Sequence, residues 1–220
     1  MLKAMRKHAK FFYVLFFIVI LSFVFWGVGT VDKSTNVTIA EIDKEKISVE
    51  DYWKAYDRAR EFYRQLFKEK FDETTEKQLN LKQKVLDSLI DERVLLLAAK
   101  KEGIKVTDEE LQDAVVNDPA FMRDGRFNNE IYLRTLQLNR LTPDFFESMK
   151  RRELTLAKMR RLIGEGVDVP DAEAQTSGTD QAANAARQAM IMEMRDRATR
   201  SYIEGMKKQM KIVVNQQLLG

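Results

Sequence analysis

The sequence predicts a mainly α-helical protein. One membrane-spanning helix stands at the N-terminus, and a helical domain follows whose first and last strands pair into a small two-stranded sheet. Three observations predict it. Residues 11–28 pass without a charge. Between residues 48 and 210, apolar side chains recur at steps of three and four and are bounded by cap residues, the signature of amphipathic helices. A lone strand signal lies on either side of that helical stretch.

The apolar run is long enough to cross the hydrocarbon core as a helix, which needs about 18 residues or more. Lys3, Arg6, Lys7 and Lys10 precede it, and no acid occurs among the first 31 residues. Cations on that side put the N-terminus in the cytoplasm. Residues 1–31 are thus a basic tail and anchor, with Phe11, Leu15, Ile18 and Phe23 in the lipid and Trp26 at the outer interface. Residues 32–220 then face the other compartment, the periplasm of a Gram-negative cell. A cleaved signal peptide has a shorter apolar core, about 7–15 residues. A buried core helix would leave no polar face for water.

The tail holds four of the cations and none of the acids. That leaves residues 32–220 at a formal −1 against +3 for the chain, so the folded part carries no basic excess for nucleic acid. There is no cysteine, and the single histidine, His8, sits in the tail. The exported part therefore lacks thiolate chemistry, the commonest general base and the commonest metal ligand. Carboxylates on helices are usually solvated. No catalytic residue, metal site or cofactor is expected.

The elements follow in order. Residues 36–42 alternate β-branched side chains, a strand, and residues 43–46 turn the chain. Ser48, with Asp51 three residues on, caps a helix to about residue 67 bearing Tyr52, Tyr56, Ala59 and Tyr63 on one face. A long helix is expected over about 75–101, with Leu79, Val85, Leu86, Leu89, Ile90, Val94 and Leu97 as a broad stripe, ended by Gly103. Thr107 with Glu110 forms a capping box for a short helix. Pro119 interrupts it, residues 123–126 turn, and a helix covers about 129–138. Thr142 and Pro143 open another to about 163, with Phe146, Met149, Leu154 and Met159 inward. Residues 164–181 are a linker, and 183–210 are a helix with a docking stripe of Ile191, Met194, Ala198, Tyr202 and Met206. Residues 211–214 end as a strand. Two lone strands leave backbone groups unpaired, so pairing them with each other closes 32–220 into one unit.

Two blocks carry a family resemblance. Residues 39–52 (IAEIDKEKISVEDY) resemble the opening strand, turn and helix start of the SurA- and PpiD-type periplasmic chaperones, with Asp43 and Lys44 where that family often has Asn-Gly. Residues 85–163 resemble the helical core of the same SurA-like chaperone domain, through Leu86, Leu89, Ile90, Gly103, Pro119, Phe121, Phe127, Tyr132, Thr142, Pro143 and Phe146. The resemblance implies an anchor in the inner membrane and a C-terminal segment that returns to complete the fold. Family members usually carry parvulin-type prolyl isomerase domains as well. Here residues 167–173 pass within about ten residues into the last helix, so isomerase activity is not expected.

The function implied is a membrane-anchored, ATP-independent holdase for unfolded or newly exported polypeptides. Its client-binding candidates are Phe121, Phe127, Tyr132, Phe145, Phe146, Met190, Met194, Tyr202 and Met206, since aromatic and thioether side chains adapt to many sequences. The same residue types equally fill cores. Two alternatives stay open: an adaptor for one envelope or translocon partner, and a subunit that pairs with a full-length isomerase.

Overall fold

The computed structural model describes residues 37–167 and 181–219. The apolar run and its residues Phe11, Leu15, Ile18, Phe23 and Trp26 lie outside the described residues. Among the described residues, no helix is long and apolar enough to cross a membrane. The unit Thr38–Gly220 is mainly helical, with two small antiparallel sheets.

Strand β1 (Thr38–Ile42) turns at Asp43 and Lys44 into β2 (Glu45–Ser48). The expected four-residue turn is therefore two residues and a strand. Glu45 and Lys46 are exposed and only Ile47 is buried, so β2 shows almost no alternation. A bulge between Thr38 and Ala40 shifts the register, and Ile39, Ala40 and Ile42 are all buried.

Ser48 caps α1 (Val49–Phe67), its Oγ accepting from the Asp51 N–H at 3.0 Å. The long helix expected next is divided. Asp72 caps α2 (Glu73–Gln78), and α3 (Leu81–Lys101) starts only after Asn80, which takes a left-handed φ of 50°. Asparagine tolerates that conformation, and the stripe's periodicity passes through the break. A Schellman motif ends α3: the Ile104 N–H donates to Ala99 O and the Gly103 N–H to Lys100 O, with Gly103 at φ +71°.

The Thr107–Glu110 capping box opens α4 (Asp108–Val116), with both reciprocal hydrogen bonds present. Strands β3 (Met122–Arg123) and β4 (Arg126–Phe127) form a hairpin around Asp124 and Gly125, both at positive φ. Helix α5 is Asn129–Leu138, and α6 runs Pro143–Glu165 from the Thr142 cap. Helix α7 is Gln181–Lys207, and β5 is Ile212–Val214.

β5 pairs antiparallel with β1 (Ala40↔Val214, Ile42↔Ile212). The terminal strands do meet, but the sheet has three strands in the order β2-β1-β5 and not two. The sheet packs on α1 and α3. The main core gathers around α3, whose Leu86, Val94, Leu95 and Ala99 are fully buried. Tyr52 of α1, Met159 of α6 and Met206 of α7 surround it. A smaller core joins α4, α5 and the hairpin through Val106, Leu111, Val115, Phe121, Tyr132 and Leu136. Helix α6 serves both cores, Phe146 and Leu154 in the smaller, Leu156 and Met159 in the larger.

Candidate functional site

The smaller core is an aromatic knot. Phe121 stands edge-on to Tyr132 at 5.0 Å and to Phe146 at 5.4 Å, while Tyr132 lies 5.9 Å from both Phe127 and Phe146. Such edge-to-face pairs add about 0.5–1.5 kcal/mol each beyond area burial. Phe121 and Tyr132 are buried, and Phe127 and Phe146 half-buried. Burial pushes the Tyr132 hydroxyl's pKa up, and the nearby carboxylates of Glu147 and Asp144 add to it. Phe145, the neighbour of Phe146 on α6, is exposed. Met149, expected inward, is exposed with it, one turn further on.

The knot is fastened to α6 by cations. Arg151 donates to Val106 O at 2.6 Å and to Asp108 Oδ1 at 2.7 Å. Lys158 donates to Lys105 O at 2.8 Å and pairs with Glu110. Glu110 thus serves α4 twice, in the capping box and in the clasp. The Lys158 bond, with the Thr107 N–H behind it, holds its carboxyl below the usual carboxylate range.

The α7 candidates divide by depth. Met206 is buried beside Ile203, Met194 and Tyr202 are half-buried, and Met190 is 57 % exposed. Tyr202 and Met206 belong to the main core, so the nine candidates do not form one surface. Between the last turns of α6 and the facing stretch of α7 lies a cleft of about 1000 Å³. Ile191 and Met192 supply apolar lining, and Arg160, Arg161 and Arg195 line it together with Glu165 and Asp196. Met192 is 69 % exposed. The helices approach closely at Gly164, which is buried. A Cβ there would meet Arg195 Cγ at 3.1 Å.

A second exposed apolar group was not foreseen. Phe62 and Leu66 on α1 are 62 % and 61 % exposed, and Phe67 is partly so. They flank Tyr63, the last residue of the Tyr52–Tyr63 stripe, which still packs against the main core. The signal available was the i, i+4 pair Phe62 and Leu66, which lies off the stripe and has no facing partner in the pattern.

Among the described residues, the groups whose pKa departs from its ordinary value move away from neutrality. Tyr52, Tyr56, Tyr132 and Tyr202 go up, as do Lys54, Lys77 and Lys207, while Asp72, Glu73, Glu109 and Glu110 go down. A general acid or base needs the opposite, a pKa drawn toward the working pH. Among the described residues, no group of three or more His, Cys, Asp or Glu is placed to hold a metal ion. What this arrangement offers is apolar and thioether surface on a rigid helical frame, with arginines beside it.

Comparison with known proteins gives a consistent answer. The SurA-like N-terminal domain pattern matches residues 1–160. The chain is 29 % identical over 164 residues to the periplasmic chaperone PpiD of Haemophilus influenzae, covering 73 % of this chain and 26 % of that protein. It is 28 % identical over 173 residues to PpiD of Haemophilus ducreyi, covering 77 % and 28 %. To PpiD of Escherichia coli it is 29 % identical over 150 residues, covering 66 % and 24 %. The chain spans about a quarter of the length of the curated relatives it matches.

Proposed function

This chain belongs to the SurA-like N-terminal domain family, and on that premise we propose that it is a membrane-anchored, ATP-independent holdase for unfolded exported polypeptides. Residues 1–31 are its basic tail and inner-membrane anchor, and residues 32–220 its periplasmic chaperone domain. The observation that carries this reading is the open α6–α7 cleft lined by exposed Met192, with Met190 also exposed on the same helix. Thioethers are flexible and polarizable, so such a surface repacks against many sequences. The charged residues of its lining keep the free cleft solvated while the arginine alkyl stems extend its apolar area. Exposed Phe145 and Met149 give α6 a second apolar face toward solvent. No step of this function needs a reacting group. An anchor would raise the concentration of chaperone where chains emerge.

The test is suppression of aggregation by residues 32–220 with several unrelated denatured clients. The holdase reading expects protection of most of them, reduced several-fold by Met190→Glu with Met192→Glu at unchanged thermal stability. Capture of one native envelope or translocon protein, with no protection of denatured clients, would instead support an adaptor. Retention in the pellet after a carbonate wash tests the anchor.

A further inference from the structure

Helix α1 packs on the main core through Tyr52, Tyr56 and, near its end, Tyr63, while its last turns also carry exposed apolar side chains. Its first three turns are held by buried Tyr52 and Tyr56, but from Arg60 to Lys70 no side chain is buried. This free end is nevertheless rich in aromatic residues. Tyr63 is its hub, edge-on to Phe62 at 5.7 Å and stacked with Phe67 at 6.0 Å and Phe71 at 6.3 Å. Phe62 and Leu66 stand in solvent beside that stack, and Phe67, within it, is partly exposed. The chain then leaves the helix at Lys68, with φ +51°, through a single 3-10 turn that carries Lys68 and Lys70. Both lysines are exposed, and among the described residues neither joins an ion pair.

Contiguous exposed apolar side chains on a folded surface mark an interaction site. Phe62, Leu66 and Phe67 are exposed here beside Tyr63, which packs against the main core and lines a small hollow with Leu81 and Val85 of α3. The chemistry of this end of α1, large apolar side chains followed by Lys68 and Lys70 on either side of Glu69, is that of surfaces that lie in a lipid interface and offer cations to anionic headgroups. The apolar run ends at Val28 and β1 opens at Thr38, and the stretch between them reaches about 35 Å at most when fully extended. An anchor in the bilayer therefore keeps this unit within reach of the headgroups.

We propose that the free end of α1 is a lipid-docking tip: Phe62, Leu66 and Phe67 enter the interface of an anionic bilayer while Lys68 and Lys70 meet its headgroups. This rests on the reading of residues 11–28 as an anchor. Docking at a second point would hold the domain in one orientation and leave the cleft open to chains.

The chain has no cysteine, so a single introduced thiol gives a unique label. Full-length chain carrying Leu66→Cys is labelled with an environment-sensitive dye and reconstituted into phosphatidylglycerol–phosphatidylethanolamine vesicles with brominated acyl chains. Gln112→Cys, exposed on α4, is the control. Expected are a blue shift and bromine quenching at position 66, little of either at position 112, and loss of most of the quenching on Lys68→Glu with Lys70→Glu. A dye at 66 quenched no more than at 112, on chain that resists carbonate, overturns the tip. So does a blue shift in lipid-free detergent that grows with chain concentration, which assigns the surface to a second copy. A blue shift raised in detergent by added denatured polypeptide assigns it to clients and also overturns the tip. Chain washed off the vesicles by carbonate overturns the anchor and the tip together, and is distinguished from failure of the tip alone by the missing chain.

Discussion

Asp43 ties the two ends of the domain with a single residue. Its backbone N–H donates to Lys211 O at 2.8 Å, and its Oδ1 accepts from the Lys211 N–H at 2.8 Å. It does so from φ +53°, a conformation aspartate and asparagine reach more readily than other side chains. Asp43→Ala loses the side-chain bond and strains the turn, and is expected to lower stability by about 1–2 kcal/mol in urea denaturation. Asp43→Asn keeps both the acceptor and the conformation and should lose less than half of that. Tyr56 makes a different prediction. Its hydroxyl donates to Glu76 of α2, and burial first, then that bond and the Glu76 charge, push its pKa from 10.0 up to about 12. The unfolded chain gives up this proton near pH 10, the folded chain only near 12. The stabilisation is thus complete below pH 10 and is lost as pH rises toward 12. In urea titrations, the stability gap between the chain and Tyr56→Phe should narrow over that window. A gap that stays constant would remove Tyr56 as the cause.

At the scale of elements, local chemistry and packing divide the work. The caps at Ser48, Thr107 and Thr142 and the Schellman end at Gly103 lie where short sequence motifs put them, because each satisfies backbone groups within a few residues. The division between α2 and α3 does not follow from the motif, since the apolar stripe runs on through Asn80. Strand β2 was also hidden. With one buried side chain and a charged edge, it is held by its hairpin partner and not by its own pattern. Packing of α7 on α6 depends on an absent side chain. Gly164→Leu would drive new atoms into Arg195, whose Cγ stands 3.1 Å from the position of a Cβ. It should destabilise by about 1–3 kcal/mol, the usual cost of overpacking. It should also raise amide exchange in α7 more than in α1. Equal exchange in the two helices would show that the contact at Gly164 does not hold α7.

For the whole molecule, closure is the decisive feature. β5 covers the free edge of β1, the Asn215 N–H donates to Ile39 O at 2.8 Å, and Ile203 and Met206 cover α3. Lys207 reinforces this with Asp91 at 2.5 Å. A chain ending at residue 167 should therefore lose its cooperative thermal transition and bind a hydrophobic dye; an unchanged melting midpoint would refute the closure argument. Most of the fold was legible because helices announce themselves by periodicity and caps, which are local. The binding surface was legible only as a list of residue types. Phe121, Tyr132 and Met206 went into cores, and Phe145, Met190, Phe62 and Leu66 stayed outside. Residue order alone determined the helical class, the charge balance, the lack of thiol chemistry and the family. Tertiary structure decided which aromatic and methionine side chains meet water. Burial depends on what comes to lie opposite a side chain, and those neighbours are brought together from distant parts of the chain.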